Sequence, residues 1–115
     1  MTELQKAQIA VCKKQGVSPD PPNPYLKLGI SRHFSLTDIP INGLRHPAEE
    51  GTCGWFIWSG EELLADPDFF DPFHVKHVED HYPEVAKYLA LPAGWRFLIA
   101  PNYEDTWFDE ALLDI

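Results

Sequence analysis

The chain is short of several things, and each shortage removes a class of protein. Among 115 residues there are only two cysteines, Cys12 and Cys53, with no metal-type spacing between them. A small secreted domain held by disulfides would carry more, so reduced thiols and a cytosolic location are expected. Basic residues are also scarce, 9 against 18 acidic ones, giving a formal net charge of −9. A surface of that sign repels phosphate backbones and anionic lipid, which argues against direct nucleic-acid or membrane binding and would attract a basic protein. No apolar run approaches the ~20 residues of a membrane helix, and the N-terminus lacks the basic and apolar regions of a signal peptide. Internal repeats and low-complexity tracts are missing too. What remains is a composition with 44% hydrophobic and 13% aromatic residues, enough to build one core in one domain, residues 1–115.

The chain is organised around residues 53–71, Cys-Gly-Trp-Phe-Ile-Trp-Ser-Gly-Glu-Glu-Leu-Leu-Ala-Asp-Pro-Asp-Phe-Phe-Asp. Trp55-Phe56-Ile57-Trp58 places large side chains on both faces if extended, the pattern of a strand covered on both sides. Gly54 and Gly60 punctuate its ends. Ser59-Gly60-Glu61-Glu62 has capping-box spacing and predicts a short helix. Asp66-Pro67 and Asp71-Pro72 each set a capping aspartate before a proline suited to a first helical turn.

Upstream, residues 2–15 read as an amphipathic helix with Leu4, Ala7 and Val11 on one side, Thr2 at the start, and Gly16 where a left-handed cap belongs. The proline-rich stretch 18–24 lacks N–H donors and forms a stiff connector. Leu26, Leu28 and Ile30 alternate with polar or small residues, a half-buried strand signal. A second strand ending near Ile41 and a turn at Asn42-Gly43 follow. Downstream, residues 72–82 fit a helix burying Phe73, Val75, Val78 and Tyr82, and Pro83 starts a second short helix to residue 90. Residues 95–100 read as an interior strand, residues 101–105 as a turn, and Trp107-Phe108 as a last short strand or a packing element. Strands early, helices in the middle and a strand again imply an α+β domain, its small antiparallel or mixed sheet carrying helices mainly on one face.

Catalytic machinery does not stand out. His74, His77 and His81 share one helix face at i, i+3, i+7 and are the candidate zinc ligands, with His46, a carboxylate or water as the fourth. They border an apolar stripe, where amphipathic rings are common, and they lack the glutamate of zinc hydrolases. Asp66, Asp68 and Asp71 do not fit a calcium loop, because no glycine takes the sixth position and His77 stands where the bidentate glutamate belongs. Cys53 has nothing nearby in sequence to lower its pKa. Residues 51–54 lack the lysine and spacing of a phosphate loop. No cofactor is expected.

Gly54-Trp55, then Ser59-Gly60-Glu61-Glu62, then Asp66-Pro67-Asp68-Phe69-Phe70 resembles the G-W-x-x-x-S-G-[DE]-E…D-P-D-x-F core of a bacterial family, the immunity-protein-thirty-three family of polymorphic toxin systems. The resemblance covers residues 54–70 best. It implies a small cytoplasmic, non-catalytic protein that binds and neutralises a cognate toxin domain; such toxins are often nucleases and tend to be basic, which the −9 charge complements. On this reading Glu61, Glu62, Asp68, Glu104, Asp105 and Trp107 form the toxin-facing patch, as acidic groups in turns at the ends of adjacent strands beside an aromatic anchor. The family core itself is expected to be structural, with Trp55 in the core and Ser59 and Glu62 capping. The alternatives are a metal- or small-ligand-binding protein using His74, His77 and His81, and an adaptor in a housekeeping assembly.

Overall fold

A computed structural model describes residues 1–61 and 68–114. The chain runs α1 (Glu3–Gln15), β1 (Lys27–Ser31), β2 (Ile41–Arg45), β3 (Thr52–Ser59), β4 (Phe70–His74), α2 (Val75–His81), α3 (Pro83–Ala86), β5 (Trp95–Ala100) and β6 (Tyr103–Phe108), closing with a 3₁₀ turn, Glu110–Leu113. The strands form one mixed six-stranded sheet in the order β4-β1-β3-β2-β5-β6, with β1 and β3 parallel and every other pair antiparallel. This is the α+β architecture that the residue pattern predicts.

Side-chain alternation divides the sheet into two faces. Leu28, Ile30, Ile41, Trp55, Ile57 and Phe97 point to one face, where Cys12 of α1, Val75 and Val78 of α2, and Val85 and Ala86 of α3 complete the main core. Leu44 and Trp58 point the other way, and Leu112 from the closing turn packs against them with Phe56, Phe69 and Phe70 alongside. Trp55–Trp58 is therefore covered on both sides, as the absence of polar residues in that run requires. Helix α1 starts on a full capping box between Thr2 and Gln5 and ends at Gly16 with φ 71°.

Four local expectations are corrected. Asn42-Gly43 is not a turn but the middle of β2. Gly43 is there because a Cβ would sit 2.1 Å from the Phe97 ring of the neighbouring strand, and the Asn42 amide donates to the Pro40 and Gly60 carbonyls. Gly54 does not end the central strand; it lies inside β3 with φ 92°, where a Cβ would be 2.0 Å from the His46 carbonyl oxygen, and the β1–β3 register slips beside it. A glycine bulge of this kind bends the strand without ending it. Asp71-Pro72 does not open a helix: it belongs to β4, pairing with Ile30 and Gly29, and α2 begins at Val75. β4 is an edge strand, where a proline is tolerated. Finally, the turn after β5 is only Pro101-Asn102, with Asn102 at φ 59°, and Tyr103, Glu104 and Asp105 are already in β6.

The helix predicted to start from Ser59 and Glu62, and the Asp66-Pro67 cap, fall outside the described residues. Within them, Ser59 ends β3 and its Oγ accepts from the Ser35 amide at 3.1 Å.

Candidate partner-binding surface

One buried cation holds the helical layer to the sheet. Arg45 at the end of β2 points to the helix face, where Nη1 donates to the carbonyls of Asp20 (2.8 Å), Leu91 (2.7 Å) and Leu89 (3.3 Å), and Nε donates to Cys53 (3.3 Å). The Trp55 indole N–H adds a 2.9 Å bond to Leu89. The proline-rich connector and the turn after α3 are thereby fastened to the centre of the sheet. Burial pulls the Arg45 pKa down while the Asp20 carboxylate, 3.9 Å away, opposes that shift. Neither cysteine is equipped as a nucleophile: both are buried, and burial pushes both thiols up, away from the reactive thiolate. His46 is likewise engaged, its Nδ1 donating to the Leu112 carbonyl at 2.9 Å.

His74, His77 and His81 form an exposed row, His77 lying 5.5 Å from His74 and 6.2 Å from His81 between ring centroids, with Phe73 5.3 Å from His77. Among the described residues, no three histidine, cysteine or carboxylate side chains are grouped to share a metal ion. A shallow apolar groove of about 630 Å³ lies over Gly29 on the open face, walled by Phe56, Phe70, Pro72 and Tyr25. The missing side chain of Gly29 makes its floor, since a Cβ would meet the Phe56 ring at 2.6 Å.

The carboxylates singled out in the sequence share one end of the sheet but not one face. Ser59, Ile41, Ile99 and Glu104 form a row across β3, β2, β5 and β6, so Glu61, just beyond β3, and Asp68, just before β4, lie at the same end as Glu104. β3 and β6 are not neighbours; β2 and β5 separate them. At ~4.8 Å per strand the set spans roughly 24 Å from β4 to β6, within the width of an ordinary protein interface. Glu62 is outside the described residues.

On β6, alternation sends Glu104 to the helix face and Asp105 and Trp107 to the open face. Glu104 accepts a 2.5 Å hydrogen bond from the Tyr88 hydroxyl and lies 3.5 Å from Lys87. The Tyr88 bond holds its carboxyl below the usual range, and burial together with Glu104 raises the Tyr88 phenol. Glu104 thus braces β6 against the turn after α3 as well as facing water. Trp107 lies over Arg96, whose guanidinium carbon is 5.5 Å from the ring centroid, and Arg96 pairs with Asp109 at 3.2 Å.

The residue pattern pointed to Trp107 but missed its neighbours. Tyr103 is 56% exposed and Phe108 49%, against 36% for Trp107, so β6 carries an aromatic residue on each face and one at its start. The signal was present: Tyr103 follows a Pro-Asn turn, where strands begin. Arg45 was also missed, because arginine in an apolar strand is ordinarily read as a solvent-facing position.

Among the described residues no helix is long and apolar enough to cross a membrane. Among curated proteins and among solved structures, no match to the chain was found. A family description, the Imm33-like domain, matches residues 7–109, a span that includes every strand of the sheet, α2, α3 and the greater part of α1. The chain belongs to the Imm33-like family.

Proposed function

We propose that the protein acts in the cytoplasm as an immunity protein, binding a cognate toxin domain of basic surface and neutralising it without catalysis of its own. The observation that carries this reading is the family match over nearly the whole chain. Two physical features support it. The net charge of −9 favours fast, salt-sensitive association with a cationic partner. Carboxylates at one end of the sheet and exposed aromatics on β6 supply the residue types that anchor interfaces. Glu61, Glu62, Asp68, Asp105 and Trp107 are the proposed contacts, with Glu104 contributing its free oxygen beside Tyr88.

The test is capture from a lysate of the source cells with this protein as untagged bait, washed across a salt series. Recovery of a basic toxin domain, released earlier as salt rises, is the expected result. Recovery of a housekeeping assembly, or of a toxin domain whose retention is indifferent to salt and to charge reversal of Glu61 and Glu62, would overturn the electrostatic neutralisation reading.

A further inference from the structure

The two edges of the sheet are built differently. β4 carries Pro72 at its centre, which removes a backbone donor, and the Arg32 and Asp71 side chains stand beside it at 4.0 Å. These are the usual means of blunting an edge. β6 is guarded only by charge, through Glu104 and Asp105: Tyr103–Phe108 contains no proline and no lysine, pairs with β5 without a register shift, and has no partner on its outer side among the described residues.

Register identifies the free backbone groups. The two-residue turn at Pro101-Asn102 makes Ala100 and Tyr103 a hydrogen-bonded pair, and alternation carries that role to Asp105 and Trp107. The same phase ends with the Asp109 amide donating to the Gly94 carbonyl at 2.7 Å. The N–H and C=O groups of Glu104, Thr106 and Phe108 therefore point outward.

We propose that the outer edge of β6 accepts an extended strand from a basic partner, continuing the sheet by main-chain hydrogen bonds; this deepens the neutralisation reading by naming how its partner docks. Charge selects the occupant. Residues 103–110 carry Glu104, Asp105, Asp109 and Glu110 and no lysine or arginine, so a second copy would bring carboxylates against carboxylates, which is unfavourable across strands. A strand bearing lysine or arginine at alternate positions meets the opposite field. Main-chain bonds give such docking its affinity, and flanking side chains, here Tyr103, Trp107 and Phe108, give it selectivity.

The test uses isotope-labelled protein and a synthetic peptide of alternating lysine and valine, with the same peptide N-methylated at alternate residues as its comparison. The unmodified peptide is expected to shift the amide resonances of Glu104, Thr106 and Phe108, to slow their hydrogen exchange roughly tenfold, and to lose its effect as salt rises. The methylated peptide is expected to leave these amides unchanged. Thr106→Pro removes an outward donor without removing a β5 ladder bond and is expected to abolish the response; Asp105→Lys with Glu110→Lys, which leaves the backbone alone, is expected to weaken it at least severalfold. Absence of any β6 response up to millimolar peptide, an equal response to the methylated peptide, or self-association of the protein through β6 would overturn the proposal. The peptide contains no toxin, so failure here removes strand addition and leaves neutralisation standing, and failure of the lysate capture does the reverse.

Discussion

Arg45→Met should destabilise the protein by about 3 kcal/mol. The side chain is nearly fully buried, and its four donor contacts end on backbone carbonyls. Methionine keeps much of the volume but donates nothing. The Leu89 carbonyl retains the Trp55 indole at 2.9 Å, so the principal losses are the short bonds to Asp20 and Leu91. Leaving the buried Leu91 acceptor and the part-buried Asp20 acceptor unsatisfied costs ~1–3 kcal/mol each, roughly 4 kcal/mol together. Relief of the guanidinium's own desolvation offsets part of that, which brings the net to about 3 kcal/mol. Measured against a total stability of about 5–15 kcal/mol, the loss is large. Urea unfolding followed by tryptophan fluorescence reads it directly: with a slope of roughly 1–3 kcal/mol per molar, the midpoint should fall by ~1–3 M at unchanged slope. Arg45→Ala should cost more, through the added cavity, and Arg45→Lys should recover only part, because an ammonium cannot fork across carbonyls from three chain segments. If Arg45→Met shifts the midpoint by the equivalent of less than ~1 kcal/mol, the buried guanidinium is not the tie between the helical layer and the sheet.

Further outcomes concern individual contacts. Glu104 has a lowered pKa in the folded protein, so its contribution is present above the unfolded carboxyl range and is lost as pH falls through the folded value; Glu104→Gln should flatten that part of the acid limb of a stability–pH curve, and an unchanged limb would count against the Tyr88 bond. Tyr88→Phe should cost roughly 1 kcal/mol, discounted because Glu104 is half exposed. Ser59→Ala, which removes the acceptor for the Ser35 amide, should lower stability by about 1 kcal/mol and leave partner binding intact; lost binding at unaltered melting would show that the hydroxyl meets the partner. Gly54→Ala should cost at least ~3 kcal/mol, since it combines a positive φ with backbone overlap at His46, and a near-normal melting temperature would refute the bulge's role.

Periodicity made the central strand, the first helix and the α+β class legible before any coordinates. Trp55, Val75 and Val78 fall where their spacing puts them because burial of large apolar side chains dominates local choice. Punctuation residues misled. Asn42-Gly43 has the composition of a turn, yet Gly43 answers to a ring on another strand, and Gly54 answers to a carbonyl on another loop. Asp71-Pro72 has the chemistry of a helix start, but an edge strand tolerates the same pair. Each of these needs a neighbour distant in sequence to decide it. The candidate surface was half legible for the same reason: acidic residues and Trp107 could be picked out, but the face each occupies depends on where β6 begins. A turn of two residues after Ala100 rather than five turns Glu104 toward Tyr88 and Asp105 toward solvent.

The order β4-β1-β3-β2-β5-β6 also sets a timetable for a chain emerging from the ribosome. β2 and β3 can pair as soon as Ser59 is made, but the second side of β2 waits for Ile99 to meet Ile41. β1, parallel to β3, must be held aside until β3 exists and then receives β4 on its outer side. At ~5–20 residues per second the interior edge of β2 is uncovered for several seconds during synthesis, a window in which the apolar centre of the sheet is open to the wrong strand. Pairing over such separations is slow by nature. The last strands to be translated therefore seal the middle of the molecule as well as finishing its rim, and a nascent chain halted before β5 would be an aggregation hazard rather than a smaller version of the protein.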